Sequence, residues 1–123
     1  MFSKIEYVMI LATDMDKSVD FYSKQLGLEL KFKTPYWSEF KTGDTTLALH
    51  LSSKANENKE SNCTIGFNVE NLNATYAELS KKGVKFTMKP TLKQEEGIKL
   101  AVCIDPDGLQ ITIAERVGKK IKQ

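Results

Sequence analysis

The sequence has few of the residues on which metal, disulfide and nucleophilic chemistry usually depend. Its 123 residues include one histidine, His50, and two cysteines, Cys63 and Cys103, without the CxxC spacing of a zinc or redox motif. A GxSxG motif and a glycine-rich phosphate loop are also missing. These absences argue against a zinc site rich in His and Cys. They also leave His50 as the only residue through which Ser-His chemistry could run.

Long apolar runs and a strong charge imbalance are absent as well. No window approaches the ~20 apolar residues of a membrane span, and residues 1–12 lack the apolar stretch of a signal peptide. The 18 Lys and Arg against 16 Asp and Glu leave a formal charge of +2, spread along the chain. We therefore expect a cytoplasmic protein with no nucleic-acid partner and no membrane partner.

The residues that are present have the composition of an ordinary globular domain. Hydrophobic residues make up 41% and charged residues 28% of the chain, close to the average for soluble proteins. A chain of this length buries about two-thirds of its surface on folding and needs no disulfide or metal to hold its core. We therefore interpret residues 1–123 as a single domain.

The most informative pattern is an internal repeat. Residues 5–30 and 62–86 both read as strand, cap, helix, glycine and strand. The acidic or amide residues before the helices align at an offset of 57, whereas the glycines after them, Gly27 and Gly83, align at an offset of 56. The second helix is therefore one residue shorter than the first.

Each helix has two candidate N-caps. Asp14 or Asp16 can accept the free backbone N–H groups of the first helix, and Asn71 or Asn73 can do so for the second. Both helices are predicted to be about ten residues long, which is too short for stability without packing on a sheet.

Three extended segments follow each helix, at 28–33, 36–42 and 45–52 and then at 84–90, 98–104 and 109–115. Turn residues separate the last two in each half, namely Gly43-Asp44 and Asp105-Pro106-Asp107-Gly108. The pattern predicts a first βαβββ module at about 1–53, a polar linker at 54–62, a second βαβββ module at about 63–116 and a basic tail at 117–123.

This arrangement resembles the vicinal-oxygen-chelate superfamily, which includes glyoxalase I, the bleomycin-resistance proteins and the extradiol dioxygenases. The residues that carry the resemblance are Asp14-Met15-Asp16, Phe21-Tyr22 with Leu26-Gly27 and Glu29, and the turn Asp105-Pro106-Asp107-Gly108. The resemblance implies an α+β fold in which two tandem βαβββ modules form curved open sheets around a cavity, with the helices outside. It also implies a homodimer, and leaves open whether the modules pair within one chain or across two.

Metal-dependent members of the family draw His and Glu ligands from the first and last strands of each half. Carried over to this chain, those positions are Tyr7, His50, Thr64 and Thr112. Only His50 is a good ligand, because threonine hydroxyls compete poorly with water for a divalent ion. The only strand carboxylates at hand are Glu39 and Glu115. We therefore expect no metal and no cofactor, as in the metal-free bleomycin-resistance-like branch.

Strand alternation predicts which side chains face the cavity. They are aromatic, aliphatic or neutral polar: Tyr7, Met9, His50, Thr64, Asn68, Gln110 and Thr112, with Trp37 at the edge. Such a set favours a small-molecule-binding protein that sequesters an amphipathic or planar ligand.

Several alternatives stay open at this point. The protein could be a glyoxalase-like lyase, an isomerase or a dioxygenase with an atypical or metal-free site, in which His50 acts as base and Tyr7 as donor. It could also have a regulatory or purely interacting role. Tyr7 and Met9 also fit the role of core residues, and Trp37 that of a dimer contact.

Overall fold

Each half of the repeat folds into one helix and a four-stranded sheet. The computed structural model describes residues 1–54 and 64–117. It divides the chain into two compact units, Met1–Lys59 and Glu60–Gln123. The predicted linker lies outside the described residues apart from Lys54, and the predicted tail apart from Val117. The module boundaries and the single domain stay predictions.

Within residues 1–54, the first unit has four strands and one helical segment. The strands are β1 (Tyr7–Ala12), β2 (Glu29–Lys33), β3 (Trp37–Thr42) and β4 (Thr45–Leu51), and the helix is α1 (Met15–Asp20). The spatial order is β1-β4-β3-β2, with β1 parallel to β4 and the other pairs antiparallel. This mixed sheet therefore has β1 and β2 at its edges.

The second unit repeats this arrangement. Its elements are β5 (Ile65–Asn68), α2 (Leu72–Lys81), β6 (Lys85–Lys93), β7 (Ile98–Ile104) and β8 (Gln110–Arg116). The order β5-β8-β7-β6 reproduces the first sheet, with β5 parallel to β8. The predicted α+β class with two tandem βαβββ modules is confirmed, and every predicted strand is present.

One face of each sheet packs under its helix. Alternate residues of the central strands are fully or nearly buried there, and they form the core together with the apolar face of the helix. In the first unit these include Ile10, Val19, Tyr22, Phe40, Leu47 and Leu49, and in the second Leu72, Leu79, Ala101, Cys103, Ile111 and Ile113. The opposite face of each sheet carries the residues predicted to contact a ligand.

The two helices differ in how they end. α1 continues as a π-helical turn over Phe21–Gln25, where the Leu26 N–H donates to the Phe21 carbonyl at 2.9 Å. α2 ends directly before Lys82. Gly27 and Gly83 then take φ values of +82° and +89°, a conformation that costs other residues more than glycine. The predicted helix ends are confirmed.

Among the described residues, no helix has the length and apolar character needed to cross a membrane. The location of the protein in the cell stays a prediction.

Candidate functional site

Three aromatic side chains meet on the open face of the first sheet. Trp37 of β3 lies directly opposite His50 of β4 in the antiparallel register. Their ring centroids are 5.8 Å apart with an interplanar angle of 54°. The Tyr7 ring, from β1, stands edge-on to Trp37 at 5.9 Å and 84°. The structure thus brings three of the predicted site residues into one ring cluster, which we define as Tyr7, Trp37 and His50.

The ring cluster lies around a small residue and is open to solvent. Ala48 of β4 is on the open face, two residues before His50, and is paired with Met9 of β1, two residues after Tyr7. It is nevertheless fully buried. Tyr7 remains 53% exposed and Met9 44% exposed. Aromatic rings and an apolar side chain that stay accessible on a strand surface are chemically able to take part in stacking contacts.

The orientation of Trp37 depends on a residue that the site prediction omitted. The indole Nε1–H of Trp37 donates a 2.8 Å hydrogen bond to Oε2 of Glu39, two residues along β3. The other oxygen, Oε1, lies 3.4 Å from Nζ of Lys31. Strand alternation could have found Glu39, because residues two apart share a face. From the sequence, Glu39 was expected only as a candidate metal ligand.

A β-bulge places Lys31 beside Glu39. The register of β2 against β3 shifts between Leu30 and Phe32, and Lys31 occupies that irregularity. Its ammonium also donates to Oγ1 of Thr46 on β4 at 3.1 Å. No sequence signal marks this bulge, so the contact of Lys31 with Glu39 was not predictable from strand periodicity.

The other four predicted site residues lie in the second unit. Thr64 immediately precedes β5, Asn68 ends it, and both are exposed. Gln110 begins β8, and Thr112 lies opposite Gly66 in the parallel β5–β8 register. These four side chains are neutral donors and acceptors. Their convergence with the ring cluster into one cavity stays a prediction.

The donor set does not fit a resident divalent cation. Of the four ligand positions carried over from the family, His50 alone supplies a strong donor. Glu39 is held by Trp37 and Lys31, and Oε1 of Glu115 accepts the Leu72 N–H at 2.8 Å at the start of α2. Among residues 1–54 and 64–117, no three His, Cys, Asp or Glu side chains converge as metal ligands would. The prediction of a metal-free site still awaits measurement.

A separate cavity of about 400 Å³ opens beside the start of α1, between that helix and the segment Lys33–Pro35. Its charged groups already have partners. Asp14 caps α1, and Nζ of Lys33 lies 2.5 Å from Oδ1 of Asp16. The hydrogen bond with Asp16 raises the pKa of Lys33. This cavity contains none of the predicted site residues.

Comparison with known proteins gives relatives over nearly the whole chain. A model of the Glyoxalase/Bleomycin resistance protein/Dioxygenase superfamily matches residues 4–113. The uncharacterized protein YraH of Bacillus subtilis is 30% identical over 117 residues, covering 85% of this chain and 91% of that protein. A probable lactoylglutathione lyase of Synechocystis is 29% identical over 130 residues, covering 93% and 96%.

The fold is also similar to solved structures. The crystal structure of a glyoxalase/bleomycin resistance protein/dioxygenase from Nocardioides superposes with a TM-score of 0.78, and the match covers 100% of this chain and 90% of that one. Its sequence identity is 19%, so this likeness concerns the fold alone.

Proposed function

The chain belongs to the Glyoxalase/Bleomycin resistance protein/Dioxygenase superfamily, and we propose that within it the protein is a metal-free binder that sequesters a planar or amphipathic small molecule. The observation that carries this proposal is the ring cluster of Tyr7, Trp37 and His50 on the open face of the first sheet. Its rings are accessible and fixed on strands, and Trp37 contacts the other two, as a stacking surface requires.

The physical basis of binding is stacking and apolar contact. An aromatic contact is worth ~0.5–1.5 kcal/mol beyond the burial of its area, and a neutral hydrogen bond contributes about the same net amount. Two or three such contacts together with apolar burial give a binding free energy of about −8 kcal/mol, or micromolar affinity, once the entropy of association is included. Sequestration at this affinity requires abundant protein.

The polar groups around the stacking surface would orient the ligand. In the structure, the imidazole of His50 has its ring contact with Trp37 and no hydrogen bond among the described residues. Its nitrogens are therefore available to a ligand. Thr64, Asn68, Gln110 and Thr112, all of the second unit, stay predicted ligand contacts as neutral donors and acceptors. In this proposal Met9 contributes apolar contact.

A second candidate function is an enzymatic one, favoured by the Synechocystis relative that is named a probable lactoylglutathione lyase. His50 would then act as base and Tyr7 as donor. Glu39, a carboxylate on the same face, is engaged by Trp37 and Lys31. The alternative predicts turnover of the hemithioacetal of methylglyoxal and glutathione when Zn, Ni, Mn or Fe is added, whereas the binding function predicts none above background.

The binding function can be tested with the fluorescence of Trp37, the single tryptophan of the chain. The probe is N-phenylnaphthylamine, an uncharged flat aromatic. We expect saturable quenching with a micromolar Kd. Tyr7→Phe and His50→Ala should weaken binding severalfold with an unchanged thermal melt, while Tyr36→Phe, an exposed tyrosine outside the cluster, should bind as wild type.

Two outcomes would contradict the proposal. If Tyr7→Phe and His50→Ala both bind unchanged, or either fails to fold, these residues belong to the core and the site assignment is wrong. Elemental analysis of protein purified without a His-tag and without chelators provides the second test. About one Zn, Ni, Mn or Fe per chain would contradict the metal-free site.

A further inference from the structure

The charges on the open face of the first sheet balance within the protein itself. Glu39, whose side chain is 24% exposed, lies 3.4 Å from the ammonium of Lys31, whose side chain is 41% exposed. We propose that this Lys31–Glu39 pair positions the Trp37 ring and makes the ring cluster selective for uncharged planar ligands. The inference rests on the proposed function and names the ligand class of that site.

Glu39 is a positioning residue because it holds the only polar atom of the Trp37 side chain. An indole N–H can donate and cannot accept, so the 2.8 Å bond to Oε2 fixes which edge of the ring turns toward Glu39. The same ring also contacts Tyr7 and His50, with centroid separations of 5.9 Å and 5.8 Å. The carboxylate is itself held by Lys31, which is tied to β4 through Thr46.

This chain of contacts crosses all four strands of the first sheet. It runs from Lys31 on β2 to Glu39 and Trp37 on β3, and from Trp37 to Tyr7 on β1 and His50 on β4. A side chain held from both sides keeps its orientation better than one held by packing alone, and rigid placement lowers the entropic cost of ligand binding.

The selectivity follows from the charges. A free carboxylate beside aromatic faces would attract a cation, through both its charge and the ring quadrupoles. Lys31 cancels that charge. The other charged residues on this face, Glu29 and Lys41, lie opposite each other across β2 and β3. The remaining ionisable side chains that these four strands place on the open face are Tyr7 and His50. A charged ligand would lose water at the rings and gain no counter-charge in return.

Two probes that differ by one charge test the inference. Anilinonaphthalene sulfonate has the ring skeleton of N-phenylnaphthylamine plus a sulfonate. The measured quantity is the ratio of the Kd of the sulfonate to the Kd of the neutral probe, both from Trp37 quenching at neutral pH. In the wild type, the neutral probe should bind more tightly by about fivefold or more.

Substitutions of Glu39 and of Lys31 should move this ratio of Kd values in opposite directions. Glu39→Gln leaves Lys31 unbalanced, so the ratio should fall by about fivefold, and Lys31→Met leaves Glu39 unbalanced, so it should rise by about the same factor. Asp20→Asn is the matched control, because it makes the same change in net charge on α1, where Asp20 pairs with Lys24 at 3.5 Å. The control should leave the ratio unchanged.

A further pair of variants tests the positioning role. Glu39→Ala removes the acceptor of the indole N–H, so the fluorescence anisotropy of Trp37 should fall and the Kd of the neutral probe should rise severalfold. Glu39→Gln keeps an acceptor oxygen and should recover most of the anisotropy.

The inference is overturned if the wild type binds both probes equally, or if Glu39→Gln and Lys31→Met shift the ratio in the same direction or not at all. It also fails if Asp20→Asn shifts the ratio as much as Glu39→Gln, or if Glu39→Ala leaves the anisotropy unchanged. In these cases the binding function stands. The absence of any quenching by the neutral probe would overturn the proposed function and this inference together.

Discussion

Cys103 is the penultimate residue of β7, and its side chain is fully buried between the sheet and α2. Burial, and then the negative charge of Asp105, raise the pKa of its thiol from the ordinary 9.0 to about 11. At a pH between these two pKa values, the Cys103 thiol is deprotonated in the unfolded chain and stays protonated in the folded chain. Stability should therefore decrease as the pH rises through this window, and the thiol should be inert near neutrality.

The Cys63→Ser variant, in which Cys103 is the only thiol, allows a test of this expectation. Ellman's reagent at neutral pH should label the native protein very slowly and the guanidinium-unfolded protein at once, because only the exposed thiolate reacts. Rapid labelling of the native protein would show that the Cys103 thiol is accessible in the folded state, and would contradict this expectation.

At the same scale, the candidate site was partly predictable. Alternation along β1 and β4 was enough to place Tyr7 and His50 on the open face, because side-chain direction in a strand has a period of two. The predicted edge position of Trp37 did not include its contacts with both of those rings. These contacts depend on the side-chain χ angles of Trp37, and those angles depend on the hydrogen bond to Glu39. Strand periodicity does not predict this hydrogen bond.

At the level of elements, the one-residue offset in the repeat has a structural cause. The first helix accommodates its additional residue as the π turn Phe21–Gln25, with an i to i+5 bond between Phe21 and Leu26. Insertion of one residue into an α-helix commonly produces such a turn. The sequence could show that a residue was added. It could not show where the added residue would be absorbed, because any turn of a short helix can widen.

The helix caps give a prediction for α2. Among the two candidates, Asn71 has extended backbone angles, φ −138° and ψ 96°, and its side chain accepts from the Ala74 N–H at 3.0 Å. Asn73 lies inside the helix and is exposed. Asn71→Ala should lower the free energy of unfolding by about 0.5–2 kcal/mol through loss of this bond.

Urea unfolding measures the effect as a lower midpoint with an unchanged m value. The matched control is Asn73→Ala, which should leave the midpoint nearly unchanged or raise it, since alanine is the better helix former. An equal loss in both variants would mean that the helix does not begin at Asn71.

At the scale of the whole molecule, the repeat was sufficient to predict two βαβββ units and their strand order along the chain. Hydrophobic periodicity and turn residues repeat in both halves, and these signals are local. The bulges in β2 and β6 were not predictable. A bulge places an extra residue on one of two paired strands, and the register of that pair depends on residues far apart in the sequence.

The four edge strands of the two sheets are unequally protected against pairing. β2 carries Glu29, Lys31 and Lys33 with a bulge, and β6 carries three lysines, Pro90 and two bulges. Charges, proline and bulges are the usual means by which edge strands avoid further pairing. β1 and β5 contain no charged residue and no proline. Before β1, Phe2 and Ile5 are 94% and 66% exposed.

We therefore expect a homodimer in which the unprotected β1 edge takes part. Light scattering at micromolar concentration should give twice the 13.9 kDa mass of one chain. Val8→Lys places a charge on this edge and should produce a folded monomer, because a buried unpaired charge is costly at an interface. Leu92→Lys, on the protected and exposed β6 edge, should remain dimeric. A stable wild-type monomer would contradict the homodimer, and equal dissociation by both variants would show that β1 is not the dimer edge.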